Sequence, residues 1–234
     1  MKSILVIGLF IAGAIASEGG SPKKSTNANK SPATQLEVVD LRCEYLADPL
    51  GIGTRLPRFS WKLIDSGNSR GQRQTAYRIV VTGHGGGPVL WDTGKVGSTQ
   101  SVNHEYAGVV LTSGQECQWK VRVWDQNGVP TAWSENARFS IGLLDEADWR
   151  GDWIRLGGAG ETKHIWYRKN FNLDEVVSQA FVYLASIGYH ELFVNGERVV
   201  SRVLSPGVTN LDKRVLYVTY DIASKLRKGD NVLA

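Results

Sequence analysis

The dipeptide Asn195-Gly196 sits between two runs rich in aromatic and β-branched residues, so that Tyr189 to Val200 has a turn signal at its centre. A type I′ turn needs two successive residues with positive φ, and Asn-Gly is the pair that adopts this most readily. The stretch therefore predicts a β-hairpin with a two-residue loop. That loop fixes the pairing: Leu192 faces Val199 and Phe193 faces Arg198. A slip by one residue would send every apolar side chain to the opposite face, so the register is strongly specified. The surrounding segment, Phe181 to Tyr220, contains three strand-like runs broken by turn residues.

The same grammar runs through the rest of the chain. Leu36 to Cys43, Phe59 to Leu63, Thr75 to Gly83, Val89 to Asp92, Cys117 to Trp124 and Trp133 to Ile141 read as short strands separated by Pro, Gly and Asp. In Cys117 to Trp124 the residues Cys117, Trp119, Val121 and Val123 point one way while Gln118, Lys120 and Arg122 point the other. About seven strands in roughly 105 residues predict a β-sandwich. Beyond it, Trp153 begins a strand, Gly157 to Thr162 is a glycine-rich loop and Ile165 to Phe171 is a further strand. Leu216 to Ile222 alternates, Ala223 to Lys228 suits a helical turn ended by Gly229, and Asn231 to Ala234 opens a strand at which the sequence stops. A strand averages about 5 to 6 residues, so the expectation is a second sandwich cut inside an element.

Residues 1–16 read as a secretory signal peptide. Lys2 supplies the positive start, Ile4 to Ile15 the apolar stretch and Ala14-Ile15-Ala16 the small-residue cleavage pattern. The apolar run, of about 12 residues, falls short of the ~20 that a spanning helix needs. Export to a periplasmic or extracellular space is the expected localisation, with no membrane partner after cleavage. Residues 17–34, rich in Ser, Gly, Pro, Lys and Asn, read as a flexible linker. Two domains follow, 35–144 and 145–234. Against 23 acidic residues stand 27 basic ones, or 26 once Lys2 is removed, and no basic stripe interleaves with aromatics. Nucleic acid is therefore not an expected partner. Cys43 and Cys117 are a candidate disulfide in an oxidising compartment, and such a bridge would close a loop of about 75 residues worth roughly 4 to 5 kcal/mol in a chain-entropy estimate. Against the bridge, each is readable as a small buried apolar residue.

Five segments in order, PRFSW (57–61), QTAYRIVV (74–81), LWDTGKV (90–96), CQWKVRVWDQNG (117–128) and WSENARFSIGLL (133–144), resemble the N-terminal fibronectin type III-like module of bacterial α-L-rhamnosidases. GYHELFVNGERV (188–199), LSPGVTNLDKRVLYVTYDI (204–222) and LRKGDNVLA (226–234) are similar to the second β-domain of the same enzymes. The resemblance implies an all-β chain, a fibronectin type III-like β-sandwich followed by a truncated, jelly-roll-like one. It also implies that the catalytic acid and base lie in a following (α/α)6 barrel of the same polypeptide, and that the substrates are rhamnose-containing glycans or glycosides. In some relatives a domain of the second kind binds rhamnose with calcium. Val208 departs from the pattern, standing where an aromatic is expected in the proline-glycine loop.

No catalytic constellation is legible. Glycoside hydrolysis takes two carboxylates about 5 to 9.5 Å apart, yet Asp92 and Asp125 precede turn residues and Asp174-Glu175 lies in a polar connection. His84-Gly85-Gly86-Gly87 looks like the oxyanion loop of lipases, but no G-x-S-x-G accompanies it and a hairpin loop explains it. His84, His104, His164 and His190 are scattered and form no metal motif, so no metal ligand is assigned. Trp61 and Trp119 occupy strand positions that fill a core. The candidates for sugar contact are Tyr189, Asn195, Asn210 and Asp212, all near loops. The expected function is the non-catalytic N-terminal part of an exported α-L-rhamnosidase. The alternative is a stand-alone secreted carbohydrate-binding or adhesion protein of two β-sandwiches.

Overall fold

A computed structural model describes residues 5–12, 34–67, 70–155 and 165–234, the first of these by backbone alone. The cleavage pattern at Ala14 to Ala16, nearly all of the linker 17–34, the loop Gly157 to Thr162 and His164 lie outside the described residues. In chain order the strands are β1 (Leu5–Ala12), β2 (Leu36–Cys43), β3 (Arg58–Asp65), β4 (Ala76–Gly83), β5 (Val89–Asp92), β6 (Val96–Gly97), β7 (His104–Glu105), β8 (Glu116–Trp124) and β9 (Ala137–Ser140). After them come β10 (Lys169–Leu173), β11 (Gln179–Ser186), β12 (Phe193–Val194), β13 (Glu197–Arg198), β14 (Tyr217–Asp221) and β15 (Gly229–Leu233). The chain divides into two compact units between Leu144 and Asp145, with β1 belonging to the second.

The first unit is an antiparallel sandwich. One sheet has the order β2-β3-β7 and the other β5-β4-β8-β9, with β6 joined to β4. Alternation in β8 places Cys117, Trp119, Val121 and Val123 in the core and Lys120 and Arg122 on the other side. Phe59 is the hub: its ring centroid lies 4.5 Å from that of Trp119 and 5.5 Å from that of Phe139. Trp61 is also buried. Its indole N–H donates to Gln74 Oε1 at 3.0 Å, and the Gln74 amide donates to the carbonyls of Ser98 and Gln100, so the buried polar atoms of this pair are satisfied. Trp61 and Trp119 are thus core residues, as their strand positions imply.

In the second unit the sheets are β1-β11-β14 and β10-β15-β12-β13. Leu173, Val182, Leu184, Val194, Ile222 and Leu233, drawn from both, share one core. The hairpin has the register read from sequence, with Phe193 opposite Arg198 and Val199 N–H donating to Leu192 O at 2.9 Å. Asn195 and Gly196 have φ of 52° and 85°, as a type I′ turn requires.

Two expectations are corrected. The last strand begins at Gly229 rather than Asn231, and it is paired on both sides, by β10 along five residues and by β12 at Val194–Leu233. It lies in the opposite sheet from β14. The strand expected over Ile165 to Phe171 runs instead over Lys169–Leu173, because pairing with Gly229–Leu233 sets its limits. Separately, Leu5–Ala12, within the residues read as a signal peptide, is extended and pairs antiparallel with Gln179–Ser186 along all eight residues.

The candidate disulfide is not formed. Cys43 and Cys117 are free thiols buried in the same core. Burial pushes the Cys43 thiol far up and that of Cys117 up to about 12, because the apolar surroundings cannot solvate a thiolate. Neither should react at neutral pH while the sandwich is folded. A thiol reagent in the absence of reductant is expected to find no reactive group in the native protein and two after denaturation. Two groups missing after denaturation would establish the bridge.

Candidate functional site

The polar and aromatic candidates all lie in the second unit, where loops leave the sandwich at Gly188 to His190 and between β13 and β14. The long β13–β14 connection is tied to the first loop by His190 N–H, which donates to Ser205 O at 2.8 Å. Ser205 and Pro206, joined by a cis peptide, are buried at this junction. Asn210 caps its own turn: its carbonyl accepts from the N–H groups of Lys213 and Arg214, and its Oδ1 accepts from Asp212 N–H at 3.1 Å. Tyr189, Asn210 and Asp212 are exposed, as is Val208 at 82%, so the aromatic missing from that loop leaves an aliphatic tip in water.

Asn195 serves the fold. Its amide donates to Lys225 O at 2.8 Å and to Asn231 Oδ1 at 2.9 Å, and its own Oδ1 accepts from Val232 N–H at 3.0 Å. Asn231 is fully buried and donates in turn to the carbonyls of Arg227 and Gly229. The two amides thus staple the hairpin turn to the start of β15, leaving no donor of Asn195 for a sugar.

A shallow groove of about 430 Å³ opens at the other end of β14. It is lined by Val176, Val177, Ser178, Asp221, Ala223, Ser224 and Leu226. Its apolar wall and two serine hydroxyls beside one carboxylate suit a polyol, and Asp221 Oδ1 already accepts from Ala223 N–H at 3.0 Å. None of the four residues singled out from sequence lines it. No motif announces it either, since its residues come from two segments some forty positions apart and each is unremarkable in its own segment. With a single carboxylate the groove cannot supply the acid and base of glycoside hydrolysis.

Ser186, His190 and Tyr220 form a chain that superficially resembles a nucleophilic dyad. Ser186 Oγ is 2.7 Å from His190 Nδ1, and His190 Nε2 is 2.9 Å from the Tyr220 hydroxyl. Ser186 also donates to Gly188 O at 2.7 Å. Its one proton is thereby spent, so the arrangement that satisfies every atom has Tyr220 donating to Nε2 and Nδ1–H donating to Ser186. The imidazole has no free nitrogen to act as a base toward Ser186. Burial lowers the His190 pKa to about 4, consistent with a neutral ring that accepts from Tyr220.

The glycine-rich loop His84 to Gly87 is a single 3-10 turn joining β4 to β5, with Gly85 and Gly86 at positive φ. His84 Nδ1 lies 3.0 Å from Glu116 Oε2. Among the described residues no three His, Cys, Asp or Glu side chains converge. No helix among them is long and apolar enough to cross a membrane.

Comparison with known proteins places these two sandwiches. Residues 38–145 match the Rha78A-like N-terminal immunoglobulin domain, and residues 175–234 match the alpha-L-rhamnosidase N-terminal domain. An alpha-L-rhamnosidase of Formosa agariphila is 33% identical over 231 residues, covering 86% of this chain and 24% of its own length. The solved alpha-L-rhamnosidase from Dictyoglumus thermophilum superposes with a TM-score of 0.73 at 33% identity, over 86% of this chain and 25% of that one. The alpha-L-rhamnosidase from Aspergillus terreus gives 0.71 at 28% identity, over 85% and 23%. The chain spans about a quarter of the length of the relatives it matches.

The His190 chain yields a pH dependence of known sign. The ring is neutral in the fold with its pKa near 4, whereas unfolded it titrates near 6.5, so the unfolded state takes up the proton first. This contribution is fully present above pH 6.5 and is lost as pH falls toward 4. At pH 5 the loss should be on the order of 1 to 2 kcal/mol, measured by urea unfolding at pH 7 and pH 5. His190→Gln should flatten that dependence, and an unchanged slope in the variant would assign the effect elsewhere.

Proposed function

We propose that a chain built from these two domain types, in this order, is the non-catalytic N-terminal part of an exported α-L-rhamnosidase, the whole protein hydrolysing terminal α-L-rhamnosyl linkages in glycans or glycosides. The observation that carries this reading is the pair of family matches in sequence order, shared with relatives about four times longer. The chemistry of the chain agrees with it. The second sandwich offers a groove with one carboxylate and a Ser-His-Tyr chain whose protons are all committed, and neither can perform hydrolysis. Catalysis then belongs to the remainder of the polypeptide.

Export rests on the leader-like residues 1–16. Any sugar contact made by the loops of the second sandwich falls to Tyr189, Asn210 and Asp212, which are exposed, rather than to Asn195, whose amide is spent on the fold.

The 234-residue chain is expected to release nothing above the buffer rate from an aryl α-L-rhamnoside, while a polypeptide extended through the downstream reading frame releases the aryl group. Release by the 234-residue chain alone would overturn the assignment of catalysis elsewhere.

A further inference from the structure

Trp133 lies in the connection between β8 and β9, held along the strand by Ser134. The Ser134 N–H donates to Val121 O at 2.9 Å, and its hydroxyl accepts from Val121 N–H at 3.0 Å. This lays the indole over the outward positions of β8 and β4, where three cations surround it. The Arg122 guanidinium is 4.6 Å from the ring centroid, Lys120 Nζ 5.0 Å and the Arg78 guanidinium 5.8 Å. Arg78 and Arg122 are directly opposed across the strand pair, a placement of like charges that works against the sheet.

Only one of the three is neutralised. Arg78 is held by Asp92 in a bidentate pair at 2.9 and 2.6 Å. Lys120 and Arg122 meet no carboxylate among the described residues, and Arg122 Nε is buried without a hydrogen-bond partner. Arg138, opposite Gln118 on β9, adds a further exposed cation to the same face. The Arg122 guanidinium beside the indole keeps a charge that no carboxylate among the described residues balances, and a guanidinium receives a carboxylate or sulfate by two parallel bonds.

We propose that this outer face of the first sandwich binds an acidic sugar, a carboxylate- or sulfate-bearing residue of a polysaccharide, with the anion on Arg122 and Lys120 and the sugar ring beside Trp133. Charge complementarity selects an anion. The choice of a saccharide over an acidic peptide rests on the functional reading above.

The test titrates the isotope-labelled 234-residue chain with tetragalacturonate, with a sulfated galactan tetrasaccharide, with neutral maltotetraose and with tetraglutamate. Saturable shifts of the Trp133 indole and Arg122 Nε resonances with one or both acidic sugars, and with neither control, are expected; which sugar binds identifies carboxylate or sulfate as the recognised group. Arg122→Gln and Lys120→Gln, both outward-facing substitutions whose folding is checked by circular dichroism, should each weaken binding about tenfold. Lys213→Gln with Lys228→Gln, which removes two charges from the second unit, should leave it unchanged. No saturable shift with either acidic sugar, equal binding of tetraglutamate, or equal loss in the Lys213/Lys228 variant would overturn the proposal. Because rhamnoside release is not measured, failure here leaves the rhamnosidase assignment standing, and failure of that assignment leaves this binding measurable.

Discussion

Among the described strands of the second sandwich, Gln179–Ser186 carries the heaviest burial, and the rest of that unit is arranged around it. From Ala180 to Ser186 every side chain is buried, on both faces of the strand. Ala180, Val182 and Leu184 enter the core shared with the opposite sheet, while Tyr183 packs on the other face at 6.1 Å from the ring of Tyr217, which itself meets Trp149 at 5.2 Å. A strand with no solvent face has no water to satisfy its N–H and C=O groups, so both of its edges must be paired. It is so paired, with β14 on one side and Leu5–Ala12 on the other.

The opposite sheet solves the same problem with side chains. β12 and β13 are only two residues each and would be a marginal hairpin alone. The buried pair Asn195 and Asn231 converts the turn into an anchor, since each amide satisfies backbone groups of the segment 225–232 while satisfying the other. The residue that sets the turn by its backbone therefore also closes the sandwich by its side chain. This is why Asn195, which looks from sequence like a loop residue available to a ligand, is consumed by structure.

Alternation was the most legible feature. Where a strand has one buried and one wet face, as in Cys117 to Trp124, the period of two leaves no ambiguity, and a two-residue turn carries register with it, as at Asn195-Gly196. Strand limits were less legible, because they are set by a distant partner: Lys169–Leu173 ends opposite Gly229, where the last strand begins, 56 residues later in the chain. The sites were least legible. The groove at Asp221 joins Ser178 to Ser224, and the cation cluster on Trp133 joins Arg78 to Lys120 and Arg122. Outward directions of the last two follow from sequence, but their meeting with Arg78 depends on the β4–β8 register, which no local pattern encodes. Burial likewise decides the character of His190, whose sequence neighbours say nothing of Ser186 or Tyr220.

Leu5–Ala12 is apolar in sequence, as a leader is, and its backbone pairs with β11 along all eight residues. Processing after Ala16 would remove it. The edge of Gln179–Ser186 that pairs with it would then be open beside buried Phe181, Tyr183 and Ala185, the kind of edge that recruits another extended segment. Removal of these residues by processing and their pairing with β11 are mutually exclusive. Retention favours closure of the second sandwich by its own N-terminus, whereas cleavage transfers that role to whichever extended strand next reaches β11.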